Sequence, residues 1–251
     1  MIILEVTDAS ISFGGVKAID GVSFAMRHGE VFSIVGPNGA GKTTLFNLLS
    51  RIYNLDSGSI IFDGIDIGSK PPHQIAKLGI ARTFQNIELF EHESVLNNLL
   101  IGKHVHSTTN LFQELLFLKE ARDQELDFRQ YAEEIIDLLD LQSYRHSKIV
   151  SLPFGIRKLV EIGRALCLKP KLILLDEPSS GLNPEETEDL IFQIEDIREE
   201  MSISILMIEH DMNLVSKVSD RVLAMADGKV LTVGQSQEVQ EHPEVIKAYL
   251  G

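Results

Sequence analysis

Val31-Phe32-Ser33-Ile34-Val35-Gly36-Pro37-Asn38-Gly39-Ala40-Gly41-Lys42-Thr43-Thr44 is the stretch that decides the fold. Its first five residues form an apolar β-type run, its end leads into the helix-period segment Lys42–Ser50, and a glycine-rich turn lies between them. Glycines there let backbone N–H groups converge on an anion, and the helix that follows adds the positive end of its dipole. Lys42 can reach the outer phosphates of a nucleotide, and the Thr43 hydroxyl can ligate Mg²⁺. A strand before and a helix after are the context that a phosphate-binding loop requires.

Apolar, β-branched runs recur on both sides of this stretch, at Ile2–Val6, Ser59–Phe62, Ile80–Phe84, Lys171–Leu175 and Ile203–Ile208, each bounded by glycine, proline or charge. They predict strands. Helix-period segments at Pro153–Leu168 and Pro184–Glu200 fall between them, the second with Asn183 as N-cap and Pro184 as its first residue. Alternation of this kind predicts an α/β domain with a largely parallel sheet. The alternation breaks from about Asn86 to Val150. There Leu111, Leu115, Leu118, Tyr131, Ile135 and Leu138 recur at helical spacing, which predicts an inserted helical subdomain. The expected organisation is one domain, with residues 1–85 and 160–251 as the α/β core and approximately 86–159 as the insertion.

A second chemical signal is Leu172-Ile-Leu-Leu-Asp-Glu-Pro178, four apolar residues ending in two adjacent carboxylates. A buried strand here delivers Asp176 and Glu177 to the C-terminal edge of the sheet, where α/β proteins bind their ligands. Asp176 is then placed to hold Mg²⁺ directly or through water, and Glu177 to orient or deprotonate an attacking water. Alone, an Asp-Glu at a strand end reads as an exposed turn; the phosphate loop gives it a partner.

Composition narrows the class. With 44% hydrophobic residues in 251, the chain can bury a proper core without staples, and its single cysteine, Cys167, reads as a buried packing residue. No apolar run approaches the roughly 20 residues of a membrane-spanning helix, and no basic segment precedes an apolar one at the N-terminus. Against 23 basic residues stand 37 acidic ones, a formal net charge of −14, which opposes general attraction to nucleic acid or anionic lipid. Membrane association is therefore expected to run through a protein partner, and no nucleic-acid partner is expected.

Four further segments stand in a telling order: Gln85 after a strand, Ser151-Leu-Pro-Phe-Gly-Ile156 opening a helix, Ser180-Gly-Leu-Asn183 after the carboxylates, and His210 after the strand Ile203–Ile208. With these the chain resembles the ATP-binding cassette (ABC) ATPases over essentially its whole length. More narrowly it is similar to the branched-chain (hydrophobic) amino-acid importer subunits, through Ser12-Phe-Gly-Gly-Val16, Gly36–Thr44, Gly79-Ile-Ala-Arg-Thr-Phe-Gln-Asn86, Leu159-Val-Glu-Ile-Gly-Arg-Ala-Leu166 and His242-Pro-Glu-Val-Ile-Lys-Ala-Tyr-Leu-Gly251.

The resemblance implies a P-loop NTPase core, an N-terminal antiparallel β subdomain and the inserted helical subdomain. It also implies a head-to-tail pair of ABC ATPase subunits with ATP sandwiched between them. Gly36, Pro37, Asn38, Gly39, Ala40, Gly41, Lys42, Thr43 and Thr44 would cradle the phosphates, and Phe13 would stack on adenine. Leu152 and Gly155 would face the partner's nucleotide. Thr43, Gln85 and Asp176 would hold Mg²⁺, with Lys42, Gln85, Glu177 and His210 as the catalytic set. Residues from Asn86 to about Leu100 would form the groove for membrane-spanning permease subunits, on the inner, cytoplasmic face of the cell membrane, with an extracytoplasmic solute-binding protein as an indirect partner. The signature departs from the usual Leu-Ser-Gly-Gly-Gln: Pro153, Phe154 and Ile156 replace serine, the first glycine and glutamine, so one hydroxyl toward a partner's γ-phosphate is missing.

Four alternatives stand beside this reading. An importer for urea or short amides and a lipid-related exporter share the cassette. A DNA-repair or translation ATPase would bring coiled-coil arms, twin cassettes or basic surfaces, and a simple P-loop kinase leaves Leu152–Gly155 and His210 unexplained.

Overall fold

The computed structural model describes residues 1–83, 87–102 and 119–250. The chain folds as two compact units, Met1–Arg82 with Lys171–Gly251, and Thr83–Pro170.

In the first unit, β3 (Val31–Val35), β7 (Leu172–Asp176) and β8 (Ser204–Ile208) are buried at every position. Strands covered on both faces call for such nearly continuous apolar runs, interrupted here by Ser33, Asp176 and Ser204. β3 pairs in parallel with β8 and with β9 (Arg221–Ala226), and β7 pairs in parallel with β8 and with the short β6 (Ile80–Arg82), which follows helix α2 (Pro72–Leu78). β10 (Lys229–Gly234) lies antiparallel to β9, giving the order β10-β9-β3-β8-β7-β6. Ile34 and Asp176 both stand opposite Ile208. The three chain segments therefore leave the sheet side by side, at Gly36, Glu177 and Glu209.

A second, antiparallel sheet has the order β2-β1-β4-β5, from β1 (Ile2–Phe13), β2 (Val16–Arg27), β4 (Ser57–Phe62) and β5 (Ile65–Asp66). Between the two sheets runs α1 (Lys42–Leu49), whose Leu45, Phe46, Leu48 and Leu49 share one core with Leu4, Phe62, Phe32, Ile34, Leu174 and Leu206. Alternation along the strands sends Val35, Val222 and Ala224 to the opposite face. There they meet Val215 of α7 (Met212–Val218), Val239 of α8 (Ser236–Gln240) and Val245 of α9 (Pro243–Leu250). Helix α6 (Pro184–Met201) starts as expected: Asn183 accepts from the amides of Glu185 and Glu186, Glu186 reaches back to the Asn183 amide, and Pro184 opens the first turn.

The second unit contains α3 (Val95–Leu100), α4 (Lys119–Leu138) and α5 (Phe154–Leu166). Leu99, Ile135 and Leu139 close around Gly163 of α5. That packing goes with a second unit that takes in the whole of α5 and runs to Pro170. Ile135 is buried and Tyr131 half-buried, in keeping with a core-facing stripe; Leu111, Leu115 and Leu118 lie outside the described residues. Cys167 is buried, and burial pushes its thiol up to about 12, as its packing role anticipates. Among the described residues no helix is long and apolar enough to cross a membrane.

One ion pair anchors the N-terminal end of β3. The Arg221 guanidinium donates to both oxygens of buried Glu30 (2.6 and 3.1 Å) and to the Ala25 carbonyl in β2 (2.6 Å), while lying 4.9 Å above the Phe32 ring. Glu30 also accepts from the Arg27 amide at 2.6 Å. Arg221→Met leaves that carboxylate buried without its cation, at a cost of roughly 3 kcal/mol. The expected fall in melting temperature is about 6–12 °C; differential scanning calorimetry of the full chain checks it, and an unchanged midpoint would contradict the assigned role.

Candidate functional site

The course of the phosphate-type loop is set first by its backbone. Gly36 leaves β3 at φ +153°, where a Cβ would stand 2.2 Å from the Met225 carbonyl oxygen, and Gly41 enters α1 at φ +98°, where a Cβ would stand 2.5 Å from that of Ala18. A side chain at either position would push the loop off its neighbours. The Ala40 amide donates to the Pro37 carbonyl (3.2 Å) and the Gly228 amide to that of Ala40 (3.1 Å), which closes the turn and ties it to the β9–β10 hairpin. Asn38 and Gly39 are exposed at its tip; Thr43 is exposed and Thr44 half-buried in the first turn of α1, where helix geometry leaves amides without intrahelical acceptors.

Lys42 is buried, and its ammonium donates to the carbonyls of Gly36 (2.6 Å) and Pro37 (3.1 Å), so the cation sits in the mouth of its own loop. Burial lowers its pKa from the usual lysine value, and the negative charges of Glu177 and Asp176 oppose that shift. Cation, helix N-terminus and paired carboxylates therefore belong to one electrostatic neighbourhood.

Asp176 closes β7 and is buried; it accepts from Arg82 Nη2 at 2.9 Å. Nη1 of the same guanidinium reaches Asn47 Oδ1 (2.7 Å) and Ser50 Oγ (2.9 Å) at the far end of α1, and the group lies 5.5 Å from the centre of the Phe46 ring. The helix that carries the loop is thereby locked to the carboxylate. Glu177 takes the left-handed conformation (φ +50°) while its amide donates to the Ile208 carbonyl at 3.0 Å. A non-glycine residue held there costs about 1–3 kcal/mol, and such strain concentrates at functional sites. The His210 side chain is 59% exposed just past the end of β8. This donor set fits a magnesium–nucleotide complex, since Mg²⁺ is ordinarily held by one or two carboxylates together with substrate phosphates. Among the described residues, no group of three or more His, Cys, Asp or Glu forms a metal cage made of protein alone.

A model of the ABC transporter family matches residues 19–180. The chain belongs to the ABC transporter ATPase family. It is 39% identical over 249 residues to BraF of Pseudomonas aeruginosa, a high-affinity branched-chain amino acid transport ATP-binding protein, covering 99% of this chain and 98% of that one. It is 36% identical, with the same coverage, to LivG of Escherichia coli, which has the same description. Among solved structures, the ADP conformation of an ATP-binding cassette of an ABC transporter superposes with a TM-score of 0.87 at 34% identity, covering 100% of this chain and 99% of that one. A nucleotide-free cassette superposes equally well at 33% identity, with full coverage of both. The chain is thus an ABC-type ATPase, a nucleotide-binding subunit of a membrane transporter.

In this cassette the remaining expected residues are distributed over both units. Phe13, 45% exposed at the end of β1, meets Tyr53 edge-on with ring centres 5.0 Å apart. In the second unit, Leu152 is buried, Pro153 caps α5 without a side-chain hydrogen bond, Phe154 is 47% exposed and Gly155 is buried. Arg157 fixes the approach to the helix through the carbonyls of Leu152 (2.9 Å) and Val150 (3.0 Å). Gln85 lies outside the described residues. Sequence reasoning missed Tyr53, Arg82 and Glu209. Only Arg82 left a signal, a charge inside the otherwise apolar run Ile80–Phe84.

The Arg82–Asp176 pair has a measurable signature. Arg82→Met removes the buried guanidinium from which Asp176 accepts and should cost about 3–5 kcal/mol. Adding Asp176→Asn removes the buried charge, so the double variant should unfold at higher urea than Arg82→Met alone. Additive losses in equilibrium urea denaturation would mean that the two groups do not act as a pair.

Proposed function

We propose that this cassette powers import of branched-chain or other hydrophobic amino acids. The observation that carries its chemistry is the convergence of the Gly36–Thr44 loop, Asp176–Glu177 and His210 at the C-terminal edge of one parallel sheet. The amino-acid part of the reading rests on the full-length likeness to BraF and LivG.

In this reading the loop amides and Lys42 bind the β- and γ-phosphates, and the exposed face of Phe13, steadied by Tyr53, stacks on adenine. Glu177, whose backbone is held in the left-handed region, orients or deprotonates the attacking water. His210 contacts the γ-phosphate, and Gln85 senses the water and links the site to the permease. Thr43, Asp176 and Gln85 would hold Mg²⁺, which when bound supplies neutralising charge to the phosphates. Leu152 and Gly155, at the start of α5, face the nucleotide of a second ABC ATPase subunit, and Asn86 to about Leu100 receive the permease. The chain then works at the inner face of the cell membrane, held there by permease subunits and served by an extracytoplasmic solute-binding protein.

Lys42→Ala should weaken ATP binding, whereas Glu177→Gln should preserve binding and lower turnover at least about a hundredfold, equivalent to about 2.7 kcal/mol of barrier. Fluorescent-nucleotide titration and phosphate release separate the two, and full hydrolysis by the Glu177 variant would sink its role. Phe13→Ala should loosen ATP binding about threefold to tenfold while Phe13→Tyr retains it, as expected for a stacking face. Equal affinities in all three proteins would remove Phe13 from the site. Uptake of radiolabelled leucine by cells with and without the intact transporter tests the solute.

A further inference from the structure

We propose that Glu209 is a positioning residue that makes the turn bearing Glu177 and the turn bearing His210 move as one body. This rests on the functional reading above, in which those two side chains handle the water and the γ-phosphate.

Glu209 is wholly buried beside an exposed histidine, and the mechanism gives it no contact with nucleotide. Its two carboxylate oxygens are divided between two chain segments. Oε1 accepts the Ser179 amide at 2.8 Å; Oε2 accepts the amides of His210 at 2.9 Å and Asp211 at 3.3 Å. A carboxylate accepting from backbone amides makes one of the stronger hydrogen bonds, and full burial strengthens it further. The same junction is fixed by backbone: the Glu177 amide donates to the Ile208 carbonyl and the Glu209 amide to that of Ile34.

The Ser179 link shapes the whole catalytic turn, because the Ser180 amide returns to the Glu177 carbonyl (3.1 Å) and the Leu182 amide to that of Ser179 (3.0 Å). On the other side, Asp211 caps α7 through the amides of Asn213 and Leu214. A displacement of His210 is therefore handed through one carboxylate to the backbone two residues beyond Glu177. ATP affinity resides elsewhere, in Lys42, the loop and Phe13, so loss of the bridge should act on turnover.

The carboxylate has no equivalent substitute. Glutamine keeps the size but offers one acceptor and one donor, so one turn loses its anchor; aspartate keeps the charge but is one methylene too short to reach both turns. The test uses the full chain as Glu209→Gln, Glu209→Asp, His210→Ala and the double variant Glu209→Gln/His210→Ala. For each, hydrolysis at saturating ATP, KM, affinity for a fluorescent ATP analogue and the thermal midpoint are measured.

Misplacement of reacting groups by about 1 Å costs on the order of a hundredfold. Both Glu209 variants should therefore lose about tenfold to a hundredfold in turnover with KM and affinity nearly unchanged, and the double variant should be no slower than His210→Ala alone. If Glu209→Gln fails to fold, Glu209→Asp carries the same reading. Wild-type turnover in a folded Glu209 variant overturns the proposal, as does a loss that multiplies with that of His210→Ala, which marks a general structural role. Wild-type turnover in His210→Ala overturns the functional reading itself, and the inference with it.

Discussion

The parallel register in which Ile34 and Asp176 both stand opposite Ile208 is the constraint on which the rest of the structure depends. Side chains alternate with a period of two, so a slip of one residue in either ladder would move every side chain of β7 or β8 to the opposite face of the sheet and mismatch both cores. With the register fixed, three chain segments emerge together, and each carries one part of the proposed chemistry: a loop for anions, a pair of carboxylates, and a glutamate followed by a histidine. No long-range design is needed to bring them together. The placement follows from three short, largely apolar runs that can be satisfied only in the middle of a covered sheet.

Buried charge marks both ends of that sheet. Arg221 and Glu30 lie where β3 begins, Arg82 and Asp176 where β7 ends. Buried ion pairs seldom add stability over an apolar replacement, because desolvation consumes most of their attraction. Their value lies in direction. Arg221 ties β2 and β9 to the start of the central strand, and Arg82 ties Asp176 to α1 through Asn47 and Ser50. For the metal-holding role proposed for Asp176, a fixed orientation matters more than a stable neighbour, and a guanidinium fork supplies it.

What could be read from the sequence followed from how locally each feature is determined. β3, β7 and β8 announce themselves as apolar runs, and Asn183-Pro184 with Glu186 announces a helix start, because in each case the cause lies within a few residues. β2, β9 and β10 gave no comparable signal. In β2, Lys17, Asp20 and Gly21 interrupt the pattern, and the pairing with β1 carries register shifts, so it is held by a neighbouring strand more than by its own alternation. β9 mixes Ala with Val, Leu and Met, which suits a helix as well as a strand, and only its place beside β3 decides. Within the site, the loop and the carboxylate pair were legible as contiguous patterns. Arg82, Tyr53 and Glu209 act on residues distant in sequence or through backbone amides, and a pattern search has nothing to find there.

The same distinction governs the altered start of α5. Proline at the N-cap has no side-chain oxygen to satisfy the first amides of the helix, and the structure gives it no side-chain cap. The amides of a 13-residue helix therefore keep their dipole end undiminished, while the fixed φ of Pro153 and the Arg157 bonds to Leu152 and Val150 hold that end in place. What remains is an electrostatic contact without the directional hydroxyl that serine would provide. A field of this kind attracts a phosphate in the ground state and the transition state nearly alike, whereas a positioned donor can discriminate between them. In the proposed pairing with a second cassette, the substitution would thus preserve a surface that helps to bind nucleotide and weaken its power to accelerate hydrolysis.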